Sequence, residues 1–261
     1  MSSALTQDGA GSDAARPRKP RFDVQVRRVR PLTPRMVRVT FGGEALSAFA
    51  WNGPAAHIKL IFAAPEGARP IMRTYTPRRY DAAARELDVD FALHAEGPAS
   101  TWARQAAPGQ ALVIAGPGRS YAVDEQAEWF LLAADETAIP AVGTILERLP
   151  THARVRMLLE IVDEAEQGAL DGVHDGIEIE WLHRGSDPRN AGQPLEAAIR
   201  RAQLPPGSGR VYVACESDAM RRIRRHLLHE RHLPRDSIVT RGYWRLGETD
   251  HPDRDYGEDV G

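Results

Sequence analysis

The sequence predicts a β plus α/β chain: a six-stranded antiparallel β-barrel over residues 22–124, then a doubly wound parallel α/β domain over 125–247. Three observations carry this. The first half alternates apolar and polar residues in short runs broken by Gly and Pro, the pattern of half-buried antiparallel strands. The second half alternates continuous apolar runs with helical patterns, as in a parallel sheet covered on both faces. A length of 261 residues also suffices for two domains of ordinary size.

Taken in order, residues 1–21 are Ser, Gly, Ala, Pro and charge without periodicity, and read as a disordered arm. Barrel strands are expected at 24–29, 36–41, 57–62, 71–76, 87–93 and 111–116. One helix interrupts them, with Ser100 as N-cap, 101–107 as body and Pro108-Gly109 as stop. Past Asp124, strands are expected at 129–134, 154–162, 177–182, 210–215 and 237–244. Helices fall at 138–149, 194–203 and 218–232, the last with Ala219, Ile223 and Leu227 on one face. The acidic, Gly-bearing segment 163–176 predicts no helix, and residues 248–261 form an acidic tail.

Composition excludes several classes. The one cysteine, Cys215, rules out an internal disulfide, a thiolate-bound iron–sulfur cluster and a structural zinc site. His226, His229 and His232 are spread around a predicted helix, so no metal is expected there. A net charge of −2 argues against a nucleic-acid binder. No stretch reaches the roughly 20 apolar residues of a membrane span, and residues 1–20 lack a signal peptide's apolar run. A cytoplasmic monomer is the expectation. Lys19 and Lys59 are the only lysines among 34 cations.

Two constellations point to a nucleotide cofactor. In Arg73-Thr74-Tyr75-Thr76-Pro77-Arg78, Arg73 and Tyr75 share a strand face. A flavin dinucleotide needs a cation, a flat aromatic and a hydroxyl, and Arg-x-Tyr-Thr supplies all three; alone it reads equally as an edge strand. The second, 94–102 (His-Ala-Glu-Gly-Pro-Ala-Ser-Thr-Trp), runs from a strand into the barrel's helix. Small residues there let a phosphate reach backbone N–H groups, although a Gly-Pro turn with a Ser cap looks the same. The order of the two is what a flavin barrel requires.

These blocks, together with the stretch from Asp90 to Trp102, Asp135-Glu136-Thr137-Ala138-Ile139-Pro140 and Gly242-Tyr243-Trp244-Arg245-x-Gly247, resemble the siderophore-interacting protein family of the ferredoxin-reductase-like superfamily. The resemblance spans about 22–247 and implies non-covalent FAD and a bound ferric siderophore whose iron is reduced and released; a general NAD(P)H:flavin or ferredoxin-type reductase, or a non-catalytic siderophore-binding protein, are the alternatives. By it, Arg73 holds the pyrophosphate, Tyr75 packs on the isoalloxazine, and Thr74 and Thr76 lie nearby. Gly97, Ala99 and Ser100 receive the phosphates, and Asp90, His94 and Thr137 complete the FAD set. Lys59, Arg78, Trp244 and Arg245 line the siderophore pocket, where cations suit anionic ferric complexes.

An electron donor is expected at the carboxyl edge of the parallel sheet. Asp135, Glu136 and Thr137 follow its first strand, Arg184 its third, and Cys215 and Glu216 its fourth. Carboxylates stand where ordinary ferredoxin reductases carry glycines, which argues against tight nucleotide binding. NADPH or NADH is the expected donor, with a ferredoxin-like protein as the alternative. Cys215 either lines the nicotinamide site or is an inert small hydrophobe. The Arg221–Arg225 run reads as a solvated helix face, with docking of an acidic electron donor as the alternative.

Overall fold

The computed structural model describes residues 19–63, 67, 69–93, 97–168, 170, 173–249, 251 and 255–257. Most of the predicted N-terminal arm, and His94, lie outside the described residues. Arg21, expected in the arm, already begins the first strand.

Seven antiparallel strands form the first sheet: β1 (Arg21–Thr33), β2 (Met36–Gly42), β3 (Ile58–Phe62), β4 (Ile71–Tyr75), β5 (Pro77–Asp81), β6 (Glu86–Ala92) and β7 (Ala111–Ala115). Their order is β4-β3-β7-β1-β2-β6-β5. The sequence reading finds six because it runs β4 through Thr76 and passes over β5. One residue, Thr76, separates β4 from β5, yet these strands are the two edges of the sheet. The sheet must therefore curl until its edges meet at Thr76. Pro77, which cannot donate to a ladder, is tolerated because β5 is an edge strand.

Inside the curl lie Phe41, Leu60, Leu87, Phe91 and Ile114, none with measurable exposure. Helix α1 (Pro98–Arg104) closes one end. It begins earlier than expected, because Pro98 is already shaped for the first helical position and Gly97 is its extended N-cap. Ser100 is buried in the first turn, and its hydroxyl donates to Ala92 O at 3.4 Å. Trp102, on the same helix, stacks on Phe41 at 5.9 Å between ring centroids.

The second sheet is parallel: β8 (Trp129–Asp135), β9 (Arg154–Ile161), β10 (Ile177–His183), β11 (Gly209–Glu216) and β12 (Ile238–Trp244), in the order β10-β9-β8-β11-β12. Every residue of β8 is buried, as a central strand with covered faces requires. Helix α2 (Ile139–Leu146) packs one face; α3 (Gln193–Arg201) and α4 (Ser217–Arg225) pack the other. No helix fills 163–176 among its described residues, where only a 3-10 turn at Glu164–Glu166 occurs.

Helix α4 is shorter than the predicted 218–232: a π-helical turn, His226–Glu230, takes over. Its arginines are not simply a solvated face. Arg224 is buried and donates to Thr240 Oγ1 at 3.2 Å, Arg222 pairs with Glu196, and Arg221 pairs with Asp255. His226 is buried as well, against Glu230 and Arg200.

Several bonds tie the two sheets' ends together. Ala55 N–H donates to Thr144 Oγ1 at 2.9 Å, Arg78 meets Glu147 at 2.6 Å, and Thr33 Oγ1 donates to Glu166 at 2.5 Å. No helix of the described residues is long and apolar enough to cross a membrane.

Candidate functional site

A cleft opens where β4 and the start of α1 face the end of β12. It is lined by Arg73, Thr74 and Tyr75 on one side, Gly97, Ala99 and Ser100 at its end, and Thr137, Trp244 and Arg245 across from them. Nine residues expected to bind cofactor or substrate thus converge from four separate stretches of chain. Period-2 geometry turns Arg73 and Tyr75 the same way along β4. Tyr75 rests on Phe91, at 4.5 Å between centroids, so the barrel core fixes the ring. Burial pushes its phenol well above the ordinary range, which keeps it a neutral packing surface.

At the helix end, the first N–H groups of α1 have no intrahelical acceptor. An added Cβ on Gly97 would meet nothing within 4 Å, so the space there is open. Arg73 Nη2 donates to Thr249 O at 2.8 Å, which brings the C-terminal tail to the cleft along with Glu248 and His251. The tail continues along β12: Gly242 N–H donates to Asp255 O at 2.8 Å, and Tyr256 carries Arg241 over its ring at 4.6 Å.

The opposite wall comes from the parallel sheet. The chain runs outward from β8 through β9 to β10, then returns to place β11 and β12 on the other side of β8. The topological switch is therefore between β8 and β11, and their carboxyl ends carry Asp135 and Glu216. Asp135 accepts from Thr137 and from Trp244 Nε1, the latter at 2.8 Å. Burial, then the adjacent Glu136, raises its carboxyl to about 6. Glu160, beside it on β9, caps α3 by accepting from Gly192 N–H at 2.7 Å and Leu195 N–H at 3.0 Å. Burial raises it to about 7 against those two bonds. Glu216 caps α4 by accepting from Ala219 N–H. This edge thus presents carboxylates, at the positions the sequence gives them.

Other expected residues fall elsewhere. Glu136 and Arg184 are spent on each other in a two-pronged ion pair. Cys215 has no exposed surface and packs with Ala219 and Met220, so its thiol is a core group and burial pushes its pKa up. Asp90 and Arg78 line a different crevice, beyond the Asp135–Thr137 loop, where Asp90 takes Arg38 in two bonds at 2.6 and 2.8 Å. Thr76 lines a smaller pocket adjoining the cleft, with Ala55, His57, Arg241 and Tyr243. Lys59 stands one strand over, opposite Thr74 in the β3–β4 register. Arg245 does line the cleft, where it is held by Asp218 at 3.1 Å and Glu248 at 3.2 Å.

Sequence reasoning missed Arg241 and Tyr243 as pocket residues. Their signal was present, since alternation along β12 puts both on one face. Thr249 and His251 had none, because a tail's return path leaves no pattern.

Comparison with known proteins identifies the family. A family model described as siderophore-interacting protein matches residues 127–247. Another, described as a siderophore-interacting FAD-binding domain, matches 25–68 and 63–121. The ferric vibriobactin reductase of Vibrio cholerae is 32% identical over 237 residues, 82% of this chain and 86% of that one. The NADPH-dependent ferric-chelate reductase of Escherichia coli is 32% identical over 242 residues, 85% of this chain and 92% of that one. A siderophore utilization protein from T. fusca superposes with a TM-score of 0.82 at 38% identity, covering 90% of this chain and 96% of that one. A ferredoxin NADP+ reductase from Neisseria gonorrhoeae shares the fold at 16% identity, with a TM-score of 0.64 over 86% of this chain and 99% of that one. Both halves are matched in order and relatives cover most of the length: the chain belongs to the siderophore-interacting protein family.

Proposed function

We propose that this protein is an FAD-dependent reductase of ferric siderophores that draws its electrons from NAD(P)H. One observation carries the assignment to the cleft: Arg73, Tyr75 and the open first turn of α1 face Thr137 and Trp244 across a single space. That donor set fits a flavin dinucleotide, with a guanidinium and free helix N–H groups for phosphates and an aromatic for the ring. When bound, FAD supplies the exchange between two-electron and one-electron chemistry that a hydride donor and a ferric ion require. The relatives named as ferric-siderophore and ferric-chelate reductases support the same reading.

The chain's own residues position and neutralise. Arg73 offsets phosphate charge, Tyr75 presents a neutral ring, and the first turn of α1 donates N–H groups. Lys59 and Arg241, near and within the adjoining pocket, favour anionic ferric complexes. Fe(III) is the substrate, and one NAD(P)H carries electrons for two ferric ions. No side chain need act as acid or base. Fe(II) binds oxygen-rich chelators weakly, so reduction itself releases the metal.

Lys59→Ala tests the pocket. It should lower kcat/KM for a ferric siderophore about tenfold, the equivalent of one charge-assisted contact, and leave turnover with a neutral quinone unchanged. Unchanged siderophore kinetics would remove Lys59 from the pocket. The carboxylates at the ends of β8 and β11 disfavour a tightly held nucleotide, which leaves a ferredoxin-like protein as the second candidate donor. Faster reduction by ferredoxin than by NADPH would select it.

A further inference from the structure

The mechanism above gives Asp135 no step, yet its carboxylate joins three donors at the cleft wall. It ends β8 with 2% of its surface exposed. One oxygen, Oδ1, accepts from the Thr137 backbone N–H at 3.0 Å and the Thr137 hydroxyl at 2.5 Å. The other, Oδ2, accepts from the Trp244 indole Nε1–H at 2.8 Å. Thr137 and Trp244 both line the cleft opposite Arg73 and Tyr75.

We infer that Asp135 is a positioning residue for this cleft: through Trp244 and Thr137 it sets the wall against which the cofactor lies. The inference rests on reading the cleft as the FAD site. An ionised carboxylate is acceptor-only, so it can take all three donors at once. Exchanging one oxygen for an NH2, or adding a proton, turns one acceptor into a donor. Thr137 brings two donors to Oδ1, so the oxygen given up is the one facing Trp244. Asp135→Asn therefore sets an amide N–H against the indole N–H without changing the side chain's size.

The groups around Asp135 bear on its ionisation. Glu136 and Arg184 flank it, Glu160 stands opposite on β9, and Cys215 and Glu216 end β11. Burial and Glu136 raise its carboxyl to about 6, against the bonds from Thr137 and Trp244 and the charge of Arg184. The three-way junction is thus intact above pH 6 and opens as pH falls through it.

The test uses the full chain and reads FAD dissociation constants by flavin absorbance at pH 8 and pH 5.5. At pH 8, Asp135→Asn and Trp244→Phe should each weaken FAD about tenfold. The double variant should be no weaker than either single, because both delete one bond. The wild type should weaken toward the Asp135→Asn value at pH 5.5, while Asp135→Asn stays flat. An Asp135→Asn protein with wild-type FAD affinity at pH 8, or additive losses in the double variant, would overturn the inference. Arg73→Ala separates the two readings. If it loses FAD while Asp135→Asn does not, the positioning role fails alone; if it keeps FAD, the cleft assignment fails.

Discussion

Glu136 and Arg184 meet at the carboxyl edge of the parallel sheet with side chains 12% and 9% exposed. Their two-pronged contact satisfies both groups where water barely reaches. Glu136→Gln keeps the shape and deletes one charge, leaving a guanidinium that has lost its partner. Breaking a buried pair from one side costs about 3–5 kcal/mol. Asp135 and Glu160 remain near Arg184, which places the expected loss at the lower end, about 3 kcal/mol. In a chain of this size, that lowers Tm by about 6–12 °C. The assay is thermal unfolding of the flavin-free protein by circular dichroism. Arg184→Met should cost a similar amount, and the double variant should be milder than the sum of the singles. A Glu136→Gln loss below about 1 kcal/mol would refute the reasoning, since the pair would then be solvated. The same variants test the nucleotide. With Arg184 engaged by Glu136, Arg184→Met should change the NADPH-to-NADH preference by less than about threefold, less than 1 kcal/mol. A larger fall would show that Arg184 leaves Glu136 for a 2′-phosphate.

Phe91→Ala removes a fully buried ring that also supports Tyr75, so it should cost about 3–5 kcal/mol in denaturant unfolding and weaken FAD binding. Full stability with unchanged affinity would deny that support. Gly242→Ala puts a Cβ 2.6 Å from Asp255 Oδ2 and should release the tail from β12, read as faster proteolysis at the C-terminus. An unchanged cleavage pattern would contradict this. Glu160 and Asp135 bind protons more tightly folded than unfolded, so the flavin-free chain should gain stability as pH falls from 8 to 6. Glu160 alone contributes about 1.4 kcal/mol per pH unit below 7, and a Tm that is flat or falls over this range would contradict the assignment.

How far the sequence carries the account differs from element to element. The parallel sheet was legible because β8 and β11 are continuous apolar runs and α4 shows Ala219 and Ile223 on one face. That Arg73, Tyr75 and Gly97 belong together was legible as local blocks, and the structure brings them to one cleft. The seventh strand was not, since the break at Thr76 comes from closing the curl rather than from residue preference. Nor were the Arg184–Glu136 and Asp135–Trp244 contacts, which join positions 48 and 109 residues apart. Cys215 shows the limit most plainly. Its place at the end of β11 suggested a site, but side-chain alternation turned the thiol into the core.

The most direct test of the central claim is anaerobic. The FAD-loaded protein is photoreduced, and its flavin absorbance is followed while ferric siderophores are added with an Fe(II) chelator as trap. Rapid reoxidation with two Fe(II) captured per flavin is the expected result. Flavin that stays reduced in the presence of catecholate, hydroxamate and citrate-type complexes alike would contradict it.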